Sequence, residues 1–147
     1  HARFIEEQFA FNGEAKGLGQ KRDAEFIKTV ARKYLAAPYQ WGGKSPFGID
    51  ASGLTQMVYR IAGYTLYRDV RQQSAQGKKV NEAQPGDLVF FADKNSTVKH
   101  VGIVLEEGRV IHVQGQVRVD VLTAAGICHS ETGAVTHPLH SIRRILP

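Results

Sequence analysis

Gly48-Ile49-Asp50-Ala51-Ser52-Gly53-Leu54, preceded by Pro38-Tyr39-Gln40-Trp41-Gly42-Gly43, is the stretch on which the fold turns. Asp50 is a good helix cap, and behind it Leu54, Met57, Val58 and Ile61 form one apolar stripe that stops at Gly63. That spacing predicts a helix beginning at Asp50 or Ala51. Upstream, Phe26, Ile27, Val30, Ala31, Tyr34 and Leu35 recur with a helical period after Asp23 and end before Pro38, which predicts a first amphipathic helix. Downstream the period becomes that of strands over 87–91, 101–105, 109–113 and 117–122, and 141–146 can close the sheet. Helices followed by strands predict an α+β fold with an antiparallel sheet.

The 147 residues, 42% of them hydrophobic, suffice for one compact domain with a core of its own. No apolar run approaches the roughly 20 residues needed to cross a bilayer. A net charge of +5 favours an anionic environment. Lysine and arginine are scattered rather than clustered, and no aromatic or zinc-finger pattern accompanies them, which argues against nucleic acid as the partner. A single cysteine, Cys128, excludes an intrachain disulfide framework and reads as a small semi-buried apolar residue. Cys128, His129, His137 and His140 lack a regular ligand spacing, so no metal site is expected.

The segment around Ala51 resembles the NlpC/P60 family of cell-wall peptidases, whose second motif usually reads Asp-Cys-Ser-Gly at the start of a helix; here it reads Asp50-Ala51-Ser52-Gly53. Pro85-Gly86-Asp87-Leu88-Val89-Phe90-Phe91, His100-Val101-Gly102-Ile103 and Ile111-His112 follow in the family's order, and the resemblance runs from about Asp23 to the C-terminus. It implies a papain-like catalytic domain over 20–147, with N-terminal helices packed on an antiparallel sheet and the nucleophile position at a helix N-terminus. It further implies cleavage, without a cofactor, of the bond between γ-D-glutamate and a diamino acid in peptidoglycan stem peptides or their fragments. The implied location is secreted, periplasmic or wall-associated, with a cytoplasmic recycling role as the other option, and there is room for an upstream SH3-like domain. Residues 1–19, which begin with His1 rather than Met, are expected to be an extension or linker left by trimming.

A thiol at position 51 would sit where unpaired N–H groups and the helix dipole favour the thiolate. His100 is the candidate base. If Glu106-Glu107-Gly108 forms a three-residue loop with Gly108 left-handed, Leu105 pairs with Arg109, and Gly102 lies opposite His112. His100 and His112 then share a face as diagonal neighbours, roughly 7–8 Å apart at the backbone, close enough for their rings to bond. A one-residue slip would separate them. In this register His112 orients His100 and fixes its tautomer.

Tyr39 either donates to an oxyanion beside the N–H of residue 51 or is a core tyrosine; the resemblance favours the first reading. Trp41 is expected to wall a substrate groove. Asp50 and Ser52 read as helix-capping residues, and the resemblance adds a role in binding the substrate peptide. In Leu66-Tyr67-Arg68-Asp69-Val70, Tyr67 and Val70 replace the family's frequent proline and serine. Asp69 can receive a substrate ammonium or stand as a solvated loop carboxylate. With alanine at position 51 the chain is expected to be inactive, whether through an engineered Cys-to-Ala change or as a natural pseudoenzyme that binds wall peptides or a protein partner. Acyl transfer and amidase chemistry on the same fold are the remaining alternatives.

Overall fold

A computed structural model describes residues 21–129 and 131–147; the expected extension over 1–19 lies outside them. The first helix among the described residues, α1 (Ala24–Lys33), is capped by Asp23, whose carboxylate accepts from the Phe26 N–H at 3.0 Å. It buries Ile27, Val30 and Ala31. The second, α2 (Ala51–Ile61), is capped by Asp50 and buries Leu54, Met57, Val58 and Ile61, the stripe read from sequence. Gly63 follows its end at φ +94°, a backbone conformation that glycine adopts without steric cost.

Between the helices, β1 (Lys44–Ser45) and β2 (Gly48–Ile49) form a small antiparallel pair that the alternation of side chains is too short to announce. A single turn, α3 (Val70–Gln73), and β3 (Lys78–Val80) follow in the stretch read as a loop. The main sheet continues with β4 (Leu88–Ala92), β5 (Val98–Val104), β6 (Arg109–Gln114), β7 (Gln116–Thr123), β8 (Gly126–Cys128) and β9 (Val135–Arg144). The final strand therefore begins earlier and runs longer than 141–146, and β8 was not foreseen.

The strand order is β3-β9-β4-β5-β6-β7-β8, and β9 pairs with β8 as well as β4, so β4 to β9 close into a barrel. The long β9 does this by bending. Its register shifts between Phe90 and Phe91 on the β4 side and between Ile127 and Cys128 on the β8 side, and each such bulge sharpens the local twist. One apolar cluster, with Leu54, Val58, Phe90, Val101, Ile103 and Ile111, lies between α1, α2 and the outer face of the barrel. A second, formed by Val89, Phe91, Val104, Val110, Ile127 and Ile142 with Leu122 and Leu139 against it, fills the barrel interior.

The β5–β6 hairpin has the expected register, with Ile103 opposite Ile111, Val104 opposite Val110, and Leu105 N–H bonded to the Arg109 carbonyl. Gly108 is left-handed at φ +66°, and Glu107 joins it at φ +58°, which the expected loop did not include. Lys28 of α1 is buried and reaches Glu25 and the loop residue Glu106, and Arg32 also bonds Glu106. These ion pairs raise the Lys28 pKa and tie α1 to the hairpin.

Candidate active site

The start of α2 is set by two close backbone approaches. A Cβ on Gly43 would meet the Gly48 carbonyl oxygen at 2.3 Å, and one on Gly53 would meet the Gly43 carbonyl oxygen at 2.3 Å. Glycine at both positions lets the β1–β2 turn lie against the first turn of α2, where the Asp50 N–H donates to the Gly43 carbonyl at 3.0 Å. One Asp50 oxygen accepts from the Gly53 N–H at 2.7 Å; the other accepts from the Gly42 N–H and from Arg68, both at 3.0 Å. Arg68 also donates to the Ser52 hydroxyl at 2.8 Å. Asp50, Ser52 and Arg68, named separately from sequence, are thus one bonded group beside Ala51.

Buried Gln73 fastens the neighbouring segment. Its amide nitrogen donates to the Ser52 and Tyr67 carbonyls, and its carbonyl accepts from the Thr55 hydroxyl at 2.6 Å. Asp69 is the N-cap of α3 but makes no side-chain capping bond, and it remains exposed. Tyr39 is held by its N–H to the Gly115 carbonyl at 2.9 Å and by a bridge to Ile49. It is 50% exposed, which rules out the core reading, and Trp41 is 85% exposed. Both line a cleft of about 610 Å³ together with Ala51, Asp50, Ser52, Arg68, Asp69 and His100. Every residue expected to act in catalysis or substrate binding borders this cleft except His112, which stands behind His100.

His100 and His112 face the barrel interior, each on the same side of its strand as an interior residue: Val104 on β5 and Val110 on β6. His100 Nε2 lies 2.9 Å from His112 Nδ1, and His112 Nε2 lies 2.7 Å from Asp120 Oδ2. Asp120, 2% exposed, also accepts two bonds from Arg118, at 2.8 and 3.0 Å. Burial works to raise its pKa, but the bonds from Arg118 and His112 overcome that and hold it below the usual carboxylate value. An ionised carboxylate only accepts, so His112 carries its proton on Nε2 and offers the Nδ1 lone pair. His100 must then donate from Nε2, which leaves its Nδ1 as the unprotonated nitrogen. Burial, reinforced by His112 and His137, pushes the His100 pKa well below 6.5, so the ring is neutral at pH 7. Burial lowers His112 too, against the opposing pull of Asp120.

Sequence reasoning missed Asp120 and the position of His137. Asp120 was within reach: carrying the hairpin argument across the turn at Gly115 pairs His112 with Arg118 and sets Asp120 diagonally beside it on the same face. His137 offered no such signal, because its place depends on the bend of β9. Its ring stacks on His100 with centroids 4.4 Å apart and meets His112 edge-on at 5.5 Å. One ligand nitrogen from each of His100, His112 and His137 lies within 4.8 Å of the others. His137 thus stands with His100 and His112 and apart from its sequence neighbours: His140 bonds Ser141, His129 accepts from its own loop, and Cys128 contacts Thr123.

The profile of the NlpC/P60 family matches residues 36–136. The chain is 43% identical over 103 residues to a probable endopeptidase p60 of Listeria seeligeri, covering 68% of this chain and 20% of that protein. It is 34% identical over 111 residues to a γ-D-glutamyl-L-lysine dipeptidyl-peptidase of Bacillus subtilis, covering 72% of this chain and 38% of that one. A solved NlpC/P60 family protein from Bacillus cereus superposes with a TM-score of 0.75 at 32% identity, over 86% of this chain and 41% of the other. The chain thus spans between a fifth and two fifths of the length of these relatives. By this match, and with helix-borne position 51 and strand-borne His100 bordering one cleft, the chain belongs to the NlpC/P60 family.

Proposed function

We propose that this domain is built to hydrolyse the γ-D-glutamyl to L-diamino acid bond of peptidoglycan stem peptides, and that the chain as it stands lacks only the nucleophile. The observation that carries the reading is the Asp120-His112-His100 chain, ending on a bare imidazole nitrogen in the cleft that Ala51 borders. With a thiol at position 51, His100 Nδ1 takes its proton and the thiolate attacks the γ-carbonyl carbon. The oxyanion that forms is met by the N–H of residue 51 and the Tyr39 hydroxyl. As the tetrahedral intermediate collapses to the thioester, His100 returns the proton to the departing amine. Water, deprotonated by the same nitrogen, then releases the acyl group.

Exposed Asp69 supports a substrate with a free amino-terminal ammonium, with Arg68 holding Asp50 and Ser52 in place and Trp41 walling the groove. This favours short peptides beginning with L-alanine over intact polymer. Alanine can form no thioester. Because the groups around it remain arranged for chemistry, we read Ala51 as an engineered replacement of cysteine. The second reading, a natural pseudoenzyme that holds wall peptides, rests on Ala51 itself.

Mass spectrometry of L-Ala-γ-D-Glu-diamino-acid peptides, incubated with this chain and with its Ala51→Cys variant, tests the proposal. Cleavage by the variant alone supports it. Intact peptide with a folded variant, alongside measurable binding to the alanine chain, would transfer the assignment to the binding reading.

A further inference from the structure

We propose that His100, His112 and His137 form an inhibitory binding site for a divalent transition-metal ion, zinc above all, which captures the catalytic base in the wrong tautomer. The binding half stands on geometry alone; the inhibitory half rests on the peptidase reading above.

Three imidazoles converge from three strands, β5, β6 and β9, with their ligand nitrogens within 4.8 Å of one another. The nitrogens can be named. His112 turns Nδ1 towards His100 Nε2, and His137 Nδ1 is engaged by the Thr136 hydroxyl at 2.8 Å, which leaves His137 Nε2. Zinc–imidazole bonds are about 2.0–2.1 Å long, so tetrahedral ligands stand about 3.3 Å apart. Closing the triangle requires the His100 and His137 rings, stacked 4.4 Å apart at 25°, to tilt until their in-plane lone pairs point at a common centre.

A second observation points the same way. Histidines that bind zinc almost always donate their other ring N–H to a carboxylate, a backbone carbonyl or water, which fixes the tautomer and raises ligand basicity. His112 already has that backing from Asp120, itself clamped by Arg118. Its Nδ1 is already unprotonated, and a metal there takes the place of the hydrogen bond it now accepts from His100 Nε2. His137 has the Thr136 hydroxyl in the same relation.

Entry does not require the substrate cleft. His100 and His137 line a separate cavity of about 420 Å³ with Thr136, Asp93, Lys94 and Lys99. Three histidines leave the fourth tetrahedral position to water, the usual composition of an accessible zinc site. Imidazole selects zinc, copper or nickel over magnesium or calcium, which prefer oxygen.

Occupation would switch the base off by a proton shift. A metal bound through the His100 Nε2 lone pair requires the ring proton to move, by way of solvent, from Nε2 to Nδ1. The ring stays neutral, and no net proton is released. Nδ1 now carries hydrogen and cannot accept one from a nucleophile at position 51, while the His100–His112 bond is lost. His137 is thus the residue that turns a catalytic pair into a chelating triad.

The alanine chain is the right protein for the test, since it has no thiol at position 51 to compete as a ligand. Zn²⁺ is titrated into the chelator-treated chain against a chromophoric indicator, with Co²⁺ absorption as an independent reading of coordination. One equivalent is expected. His137→Gln should weaken binding at least about tenfold, and Asp120→Asn, acting through His112, about 10- to 100-fold. Replacement of His1, His129 and His140 together by Gln should leave the equivalent in place. Because a variant can misfold, circular dichroism accompanies each, and ¹⁵N spectra of the unmodified chain should show His100 changing from the Nε2–H to the Nδ1–H form on adding zinc. Parent affinity in folded His137→Gln, loss of binding in the His1/His129/His140 variant, or no His100 change at saturation would overturn the site. In the Ala51→Cys background zinc should slow hydrolysis in a way that depends on His137. Zinc binding without peptide cleavage would refute the peptidase reading alone, and cleavage without His137-dependent zinc binding would refute the site alone.

Discussion

Replacing Asp120 by asparagine tests the proton arrangement on which the catalytic reading depends. The carboxylate accepts from His112 Nε2 at 2.7 Å inside the barrel, with Asp120 2% exposed and His112 fully buried. The amide that replaces it is uncharged. It can present oxygen to His112 only by turning its NH₂ towards the Arg118 guanidinium, which has nothing to accept with. With NH₂ turned to His112 instead, that ring must carry its proton on Nδ1, and His100 is forced to expose N–H rather than a lone pair to position 51. A hydrogen bond to a charged group contributes about 1.5–3 kcal/mol. At about 1.36 kcal/mol per tenfold in rate, the Ala51→Cys enzyme should lose roughly 13- to 160-fold in kcat on Asp120→Asn. When the carboxylate touches the base directly, the same change costs about 10⁴-fold, so the intervening imidazole makes the smaller figure reasonable. Peptide hydrolysis followed by mass spectrometry gives kcat and KM; long-range ¹H–¹⁵N spectra of the alanine chain give the tautomers. We expect the loss in kcat with KM little changed, and Nε2–H on both His100 and His112 before the substitution. A kcat within twofold of the parent, or His100 already in the Nδ1–H form, would refute the reasoning.

Two further outcomes follow from the same structure. His100, His112 and His137 are all held below 6.5, chiefly by burial, so the folded chain refuses protons that the unfolded chain takes up. Their contribution to stability is therefore present above about pH 6.5 and is lost as pH falls towards the folded-state values, by at most about 1.4 kcal/mol per pH unit for each proton. Urea unfolding should show a lower midpoint at pH 5 than at pH 7.5, and identical midpoints would contradict the assignment. Separately, Gly43→Ala drives a methyl to 2.3 Å from the Gly48 carbonyl oxygen, a backbone atom that can yield only by moving the turn. Thermal unfolding should register a loss of about 1–3 kcal/mol, together with weaker peptide binding, since the turn carries Gly42 and positions Asp50; unchanged stability would mean that Gly43 does not lie against the Gly48 backbone.

Much of the site was legible because its determinants are local. Asp50 before a helical stripe places position 51 at an N-terminus, and Gly108 at a hairpin turn fixes the register that aligns His100 with His112. Period and turn chemistry act over a few residues, so a reader of the chain can apply them without knowing the rest of the fold. The expected α+β arrangement and its antiparallel sheet are found in the structure for the same reason. The short pieces α3, β3 and β8 were missed because three or four residues carry too little periodicity to stand apart from loop.

The sequence by itself determined the helices, the hairpin register and the residues around position 51, through capping, periodicity and motif. Only the tertiary structure decided that β9 bends twice to pair with both β4 and β8, closing the barrel. That closure brings His137 against His100 across 37 positions of chain. The contact depends on bulges, whose placement reflects packing between distant strands rather than any preference of the residues within them.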